Sequence, residues 1–227
     1  MSSFVLVHGA GHGAWCWERT ERDLAAAGHQ STALDLPLTG LTDDAAAVRK
    51  CLDAVTEPAI LVGHSYGGLV ISEAAGGRDD VVHLVYVAAV LMSSEEDVIT
   101  QAADYPQTPL MQQLVYSDDG FMVFSAETAL DCFYQETPRE IAEPASLRMR
   151  PTAAGGMAMR PGADPWKTIP TTYIVCERDR ALSPEMQRAM AKNAGRVESI
   201  DTDHSPFVSR PEEFCRILVS IAGDPVG

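Results

Sequence analysis

Ala59-Ile60-Leu61-Val62-Gly63-His64-Ser65-Tyr66-Gly67-Gly68 is the stretch whose reading decides the fold. The four apolar residues read as a buried strand, the Gly-rich hexad as a sharp turn, and the run from Leu69 to Ala75 as a helix. Placed between strand and helix, Gly63-His64-Ser65-Tyr66-Gly67 is a G-x-S-x-G pattern in the setting that gives it meaning. Such a serine sits on a strained elbow with its hydroxyl exposed at the carboxyl end of the strand. Glycines flank it because the turn brings backbone so close that side chains there would collide. Ser65 is therefore the expected nucleophile.

Working outward, Phe4-Val5-Leu6-Val7 is a continuous apolar run that ends in the loop His8-Gly9-Ala10-Gly11-His12-Gly13, with a helix expected over 15–27. A strand over 31–36 stops at Pro37, and the next helix buries Ala45, Val48, Leu52 and Val55, with Asp43 and Asp44 in its first turn. A fourth strand is expected over 81–90, and Thr171-Thr172-Tyr173-Ile174-Val175-Cys176 and 197–200 supply two more. Strands alternating with helices predict an α/β fold with a doubly wound, mainly parallel sheet of about six strands. The segment 93–165 breaks that alternation with seven prolines and no strand of sheet-core type. It reads as a helical lid inserted into one domain spanning 1–227, with short helices over 95–103, 109–116, 126–133 and 138–147. Its large apolar residues, among them Met122, Phe124, Phe133, Tyr134 and Met157, are expected mainly to form the insertion's own small core. A Met- and Phe-rich segment on the side where Ser65 emerges also suits a cover over an apolar pocket. Near the end, Ser209-Arg210-Pro211-Glu212 has the pattern of a capping box for a final helix.

Seventeen basic against 32 acidic residues give a formal charge of −15, which repels nucleic-acid backbones and anionic membrane surfaces. No apolar run approaches the ~20 residues that cross a bilayer. With no signal core at the start, a cytoplasmic location is expected. The five cysteines are odd in number and widely spaced, as for reduced core residues, and no His/Cys/Asp cluster has metal-ligand spacing. Gly9-x-Gly11 lacks the third glycine of a dinucleotide fingerprint, since Ala14 stands there, so no cofactor is expected. Composition does not decide the oligomeric state.

A serine hydroxyl needs a base to take its proton, and the imidazole that does so needs an acid to hold its tautomer. Among the six histidines His204 alone follows a late strand, at the edge where the elbow emerges. His64 sits within the elbow, with its side chain directed away from the serine hydroxyl. For the acid, Asp179 lies a few residues past the strand ending at Cys176, where a side chain can turn back toward that edge; Glu177 is the second choice. Asp203, the neighbour of His204, is expected to be a solvated loop charge. The tetrahedral intermediate also needs amide donors for its oxyanion, and those of Ala10 and Tyr66 are placed to supply them.

With these residues in place, the chain resembles the α/β-hydrolase family that contains plant methylesterases and hydroxynitrile lyases. The likeness is carried by the opening run from Phe4 through Trp17, by Leu34-Asp35-Leu36, the elbow, Tyr173-Ile174-Val175-Cys176 and Asp203-His204. It implies a triad of Ser65, Asp179 and His204 with an oxyanion hole at the amides of Ala10 and Tyr66. The lyases carry threonine at the position of Gly9 and lysine at that of Ser205, and neither is present. The esterases usually carry methionine at the latter position, so Ser205 departs from that pattern too. The expected function is hydrolysis of a carboxylic ester, such as a methyl ester or lactone, of a mostly apolar small molecule through an acyl-serine. The alternatives are a lyase, isomerase or cyclase using the same triad as acid and base, or a ligand-binding protein with vestigial catalysis.

Overall fold

Successive residues of a strand face opposite sides, and a sheet covered on both of its faces must bury all of them. In a computed structural model, which describes residues 2–96 and 98–223, strand β1 (Ser3–Val7) turns Val5 and Val7 to one face and Phe4 and Leu6 to the other. Both faces are buried, which is why the strand carries no polar alternation. The side chains of Ile99, Met157 and Ala158 lie outside the described residues, and with them the expectation for Met157.

The chain continues through α1 (Glu18–Ala26), β2 (Gln30–Leu34), α2 (Leu41–Leu52), β3 (Ala59–His64), α3 (Gly67–Ala75) and β4 (Val81–Val87). An insertion comes next, with helices α4 (Val98–Ala102), α5 (Pro109–Gln113), α6 (Ala126–Cys132) and α7 (Arg139–Ser146). The sheet then resumes with β8 (Thr171–Cys176), α8 (Pro184–Ala191), β9 (Arg196–Ile200), α9 (Pro206–Ser209) and α10 (Pro211–Gly223). The six main strands pair in the order β2-β1-β3-β4-β8-β9, every pair parallel, as the alternation predicts. Leu41, Val48, Leu69, Ile71, Met186 and Met190 from α2, α3 and α8 cover the face bearing Val5, Leu61 and Val175. Leu24, Phe214, Leu218 and Ile221 from α1 and α10 cover the face bearing Leu6, Val62 and Ile174. Each such side chain, fully buried, contributes about 1.5–3 kcal/mol, so this double-faced core holds the strand ends rigidly.

The insertion differs from expectation in one respect. It also holds a small antiparallel sheet of β5 (Val115–Tyr116), β6 (Phe121–Val123) and β7 (Thr152–Ala153). Strands of two or three residues are too short to show a period of two. Met122, Phe124, Phe133 and Tyr134 pack with Ala129 and Ala142 into a separate cluster, so these apolar groups do build the insertion's own core. The capping box at Ser209 does not form, because that hydroxyl donates to Asp203 (2.8 Å) and ends α9 instead. Among the described residues no helix is long and apolar enough to cross a membrane.

Candidate active site

Strand β3 delivers the chain to Ser65, and α3 begins two residues later. Ser65 has φ +53, the left-handed region that costs a non-glycine residue about 1–2 kcal/mol. Backbone hydrogen bonds hold it there. Its N–H donates to Val87 (3.1 Å), and its carbonyl accepts from Gly68 (3.0 Å) and Val90 (3.1 Å). The neighbouring glycines are required by space rather than dihedral angle: a Cβ on Gly63 would stand 2.6 Å from the Gly67 carbonyl oxygen, and one on Gly67 2.7 Å from that of Val7. Every residue from 59 to 72 is buried except Ser65. The strain therefore lifts one side chain out of a closed core. Among the described residues the Ser65 hydroxyl has no hydrogen-bond partner.

The loop after β1 lies against this serine, since a Cβ on Gly9 would come within 2.7 Å of the Ser65 Cβ. The Gly9 carbonyl accepts from His8 Nδ1 (2.9 Å) and from the His12 N–H (3.3 Å). In a trans peptide C=O and N–H point in opposite directions, so anchoring this oxygen directs the Ala10 N–H the other way. Ala10 is only half-buried between buried neighbours, and neither its amide nor that of Tyr66 donates to a protein acceptor among the described residues. His8 Nε2 accepts from the Leu36 N–H (3.0 Å), which puts its proton on Nδ1. Burial pushes His8 down to about 4 and His12 down to about 3, so both stay neutral. Tyr66 is itself fixed at its far end by donating to Asp44 (2.7 Å), whose other oxygen accepts from the Leu38 N–H (2.7 Å). Burial raises the Asp44 carboxyl.

Asp179 and His204 are brought together directly, with Nδ1 of the imidazole 2.6 Å from Oδ2 of the carboxylate. Asp179 is 6% exposed and His204 1%. The remaining acceptor capacity of Asp179 is filled by the N–H groups of Ala181 (2.7 Å) and Leu182 (2.9 Å) and by the Gln187 amide (2.7 Å). Nδ1 being engaged, Nε2 is left for a reacting group. Glu177, the second choice, is instead paired with Arg188 away from the histidine.

Three contributors escaped the sequence. Gln187 on α8 both donates to Asp179 and accepts from the Cys176 N–H (2.9 Å), joining the acid to the end of β8. His64, beneath the elbow, donates through Nε2 to the His204 carbonyl (2.9 Å), tying the serine's strand to the histidine's loop. Burial holds His64 well below its ordinary pKa. Asp203 is the correction: it is fully buried, accepting from the N–H groups of Glu136 (2.9 Å) and Ser205 (3.1 Å) and the hydroxyls of Thr137 (3.2 Å) and Ser209 (2.8 Å). Donors from four residues replace the water that a loop carboxylate would otherwise keep. The signal present in the sequence was the Ser and Thr content around Asp203, which spacing alone could not interpret.

A strand-ending elbow, a Gly-rich loop against it and a buried Asp-His pair occupy one edge of the sheet, and a model of the alpha/beta hydrolase family matches residues 4–217. The chain belongs to the α/β-hydrolase family. This α/β-hydrolase is similar to Methylesterase 7 of Arabidopsis thaliana, 32% identical with 96% of this chain and 95% of that protein covered. It is also similar to Methyl jasmonate esterase 1 of Vitis vinifera, at 31% identity over 96% and 95% of the two chains. The crystal structure of polyneuridine aldehyde esterase superposes with a TM-score of 0.85 at 23% identity, covering 98% of this chain and 99% of the other, a likeness of fold.

Proposed function

We propose that this α/β-hydrolase cleaves a carboxylic ester of a mostly apolar small molecule through an acyl-serine intermediate. The observation that carries this is the buried Asp179–His204 pair, 2.6 Å apart, on the sheet edge where Ser65 is the one half-buried residue of an otherwise buried elbow. Ser65 Oγ attacks the ester carbonyl carbon while His204 Nε2 takes its proton, and Asp179 stabilises the resulting imidazolium through Nδ1. The oxyanion accepts hydrogen bonds from the amides of Ala10 and Tyr66, each supplying ~3–4 kcal/mol of transition-state stabilisation. Collapse expels the alcohol, which leaves with the proton from His204. Water then repeats the sequence on the acyl-serine and releases the acid.

Methyl esters are the first substrates to try, since two similar proteins are named a methylesterase and a methyl jasmonate esterase, and lactones, whose carbonyl undergoes the same attack, come second. The insertion over 93–165 serves as the lid on the apolar side of the site. A panel of aryl, alkyl, methyl and lactone esters with wild type and Ser65→Ala tests the proposal. Ser65→Ala is expected to lower kcat about 10⁴-fold or more, and a fluorophosphonate probe to label wild type at Ser65. Retained activity in Ser65→Ala would sink it, and turnover of a true substrate with no acyl-serine trapped by mass spectrometry would favour acid-base use of the triad.

A further inference from the structure

Between α6 and α7 the insertion makes a turn over residues 134–137, and each of its four residues reaches one of the loops that carry the site. The Tyr134 hydroxyl donates to His12 Nε2 at 2.9 Å. That leaves the His12 proton on Nδ1, which donates to the Ala10 carbonyl at 3.0 Å. The Gln135 amide donates to the Arg178 carbonyl at 2.7 Å, one residue before Asp179. The Glu136 N–H and the Thr137 hydroxyl both donate to Oδ2 of Asp203, one residue before His204. Oδ1 of the same carboxylate accepts from the Ser205 N–H, so Asp203 braces the chain on both sides of the histidine. Tyr134 is 1% exposed and Thr137 9%, so these two partners are not readily exchanged for water.

A cover for an apolar substrate needs apolar surface over the pocket. It has no need of hydrogen bonds to three separate loops beneath it. We infer that the turn over 134–137 is a positioning element for the reaction, holding the Ala10, Asp179 and His204 loops in mutual register, and that Tyr134 and Thr137 are its positioning residues. The inference rests on the triad proposed above and deepens it, because it makes the insertion a condition of catalytic alignment as well as a lid.

Tyr134→Phe and Thr137→Val, alone and combined in the full chain, test this while preserving shape. Three quantities are read: kcat and KM on a short p-nitrophenyl ester, the rate of Ser65 labelling by a small fluorophosphonate, and thermal stability. Each single variant is expected to lower kcat and the labelling rate together by about tenfold, the rate equivalent of one buried hydrogen bond, with KM within about twofold. The double variant should lose less than the product of the two, since either loss already frees the turn. Folded variants with unchanged kcat and labelling, whether or not KM rises or stability falls, would leave the insertion a cover only and overturn the inference. Should Tyr134→Phe fail to fold, Thr137→Val and Gln135→Ala carry the same comparison. A wild type that is not labelled at Ser65 overturns the nucleophile itself and this inference with it; a labelled wild type with indifferent variants overturns this inference alone.

Discussion

The Ser65 elbow and the loops facing it are held in place by different physics. The elbow is fixed by backbone shape. Three glycines let the elbow pack so closely, Gly63 on helix α3, Gly67 on the end of β1 and Gly68 on the chain after β4, that carbonyl oxygens fill the space of absent side chains, and no ionisable group takes part in its backbone hydrogen bonds. The His8–His12 loop and the Asp179 and His204 loops are fixed by side-chain hydrogen bonds, from His8, His12, His64, Gln187 and Asp203. Shape held by sterics fails all at once, when an atom is added. Shape held by hydrogen bonds fails by degrees, as each donor or acceptor is changed.

The sharpest way to break that contrast is Asp179→Asn. The fold should survive, because an amide oxygen can still accept from Ala181 and Leu182. The amide NH₂, however, would face two donors, Gln187 and His204 Nδ1, and the imidazole would adopt the other tautomer. Steady-state kinetics should show kcat down about 10⁴-fold with little change in melting temperature. A loss under tenfold would show that the acid does not orient His204.

Gly68→Ala is the matching test on the elbow. The new Cβ would press on the carbonyl oxygen of Val90, which cannot yield because the Val90 amide is itself bonded to Ser65. Overpacking against backbone should cost about 3 kcal/mol, read by denaturant unfolding. A stable Gly68→Ala protein would mean that the elbow tolerates the shift.

Acid should separate the two regions more gently. His8 and His12 are kept neutral at about 4 and about 3 against about 6.5 unfolded, so between these limits the unfolded chain binds more protons and stability falls as pH falls. Each contributes a loss of about 1.4 kcal/mol per pH unit once pH drops below ~6.5. Asp44 and Asp203, whose carboxyls burial raises, act in the opposite sense as their own pKa is crossed. Thermal melts from pH 7.5 to 5 should therefore decline, and His12→Gln should flatten the decline by removing one titrating group. A flat profile in the wild type would contradict burial as the cause of the histidine shifts.

Legibility from sequence follows local sterics and topology, on both sides of that contrast. The elbow, the loop at Gly9 and Gly11 and the alternation of strands with helices can be read because steric close approach and the apolar runs of buried strands are written in consecutive residues. Asp179 and His204 can be chosen because topology sends the ends of parallel strands to one edge. Asp203 reads as a solvated charge when it is a buried one, and His64, Gln187 and Tyr134 show no role in the site, since polar side chains take their meaning from whichever partner the fold supplies. The bond between Tyr134 and His12 joins residues 122 positions apart, and that between His64 and His204 spans 140.

Taken alone, the sequence determined a strained serine between strand and helix, a parallel α/β sheet around it, and the residues that could complete a triad. Local sterics and periodicity suffice for these, because each depends on neighbours in the chain. Only the tertiary structure decided how the loops are registered: a buried Asp203 shared between the insertion and the His204 loop, and the turn over 134–137 reaching three loops at once. A buried donor or acceptor must find a partner, and folding, not spacing, determines which one lies within hydrogen-bonding reach.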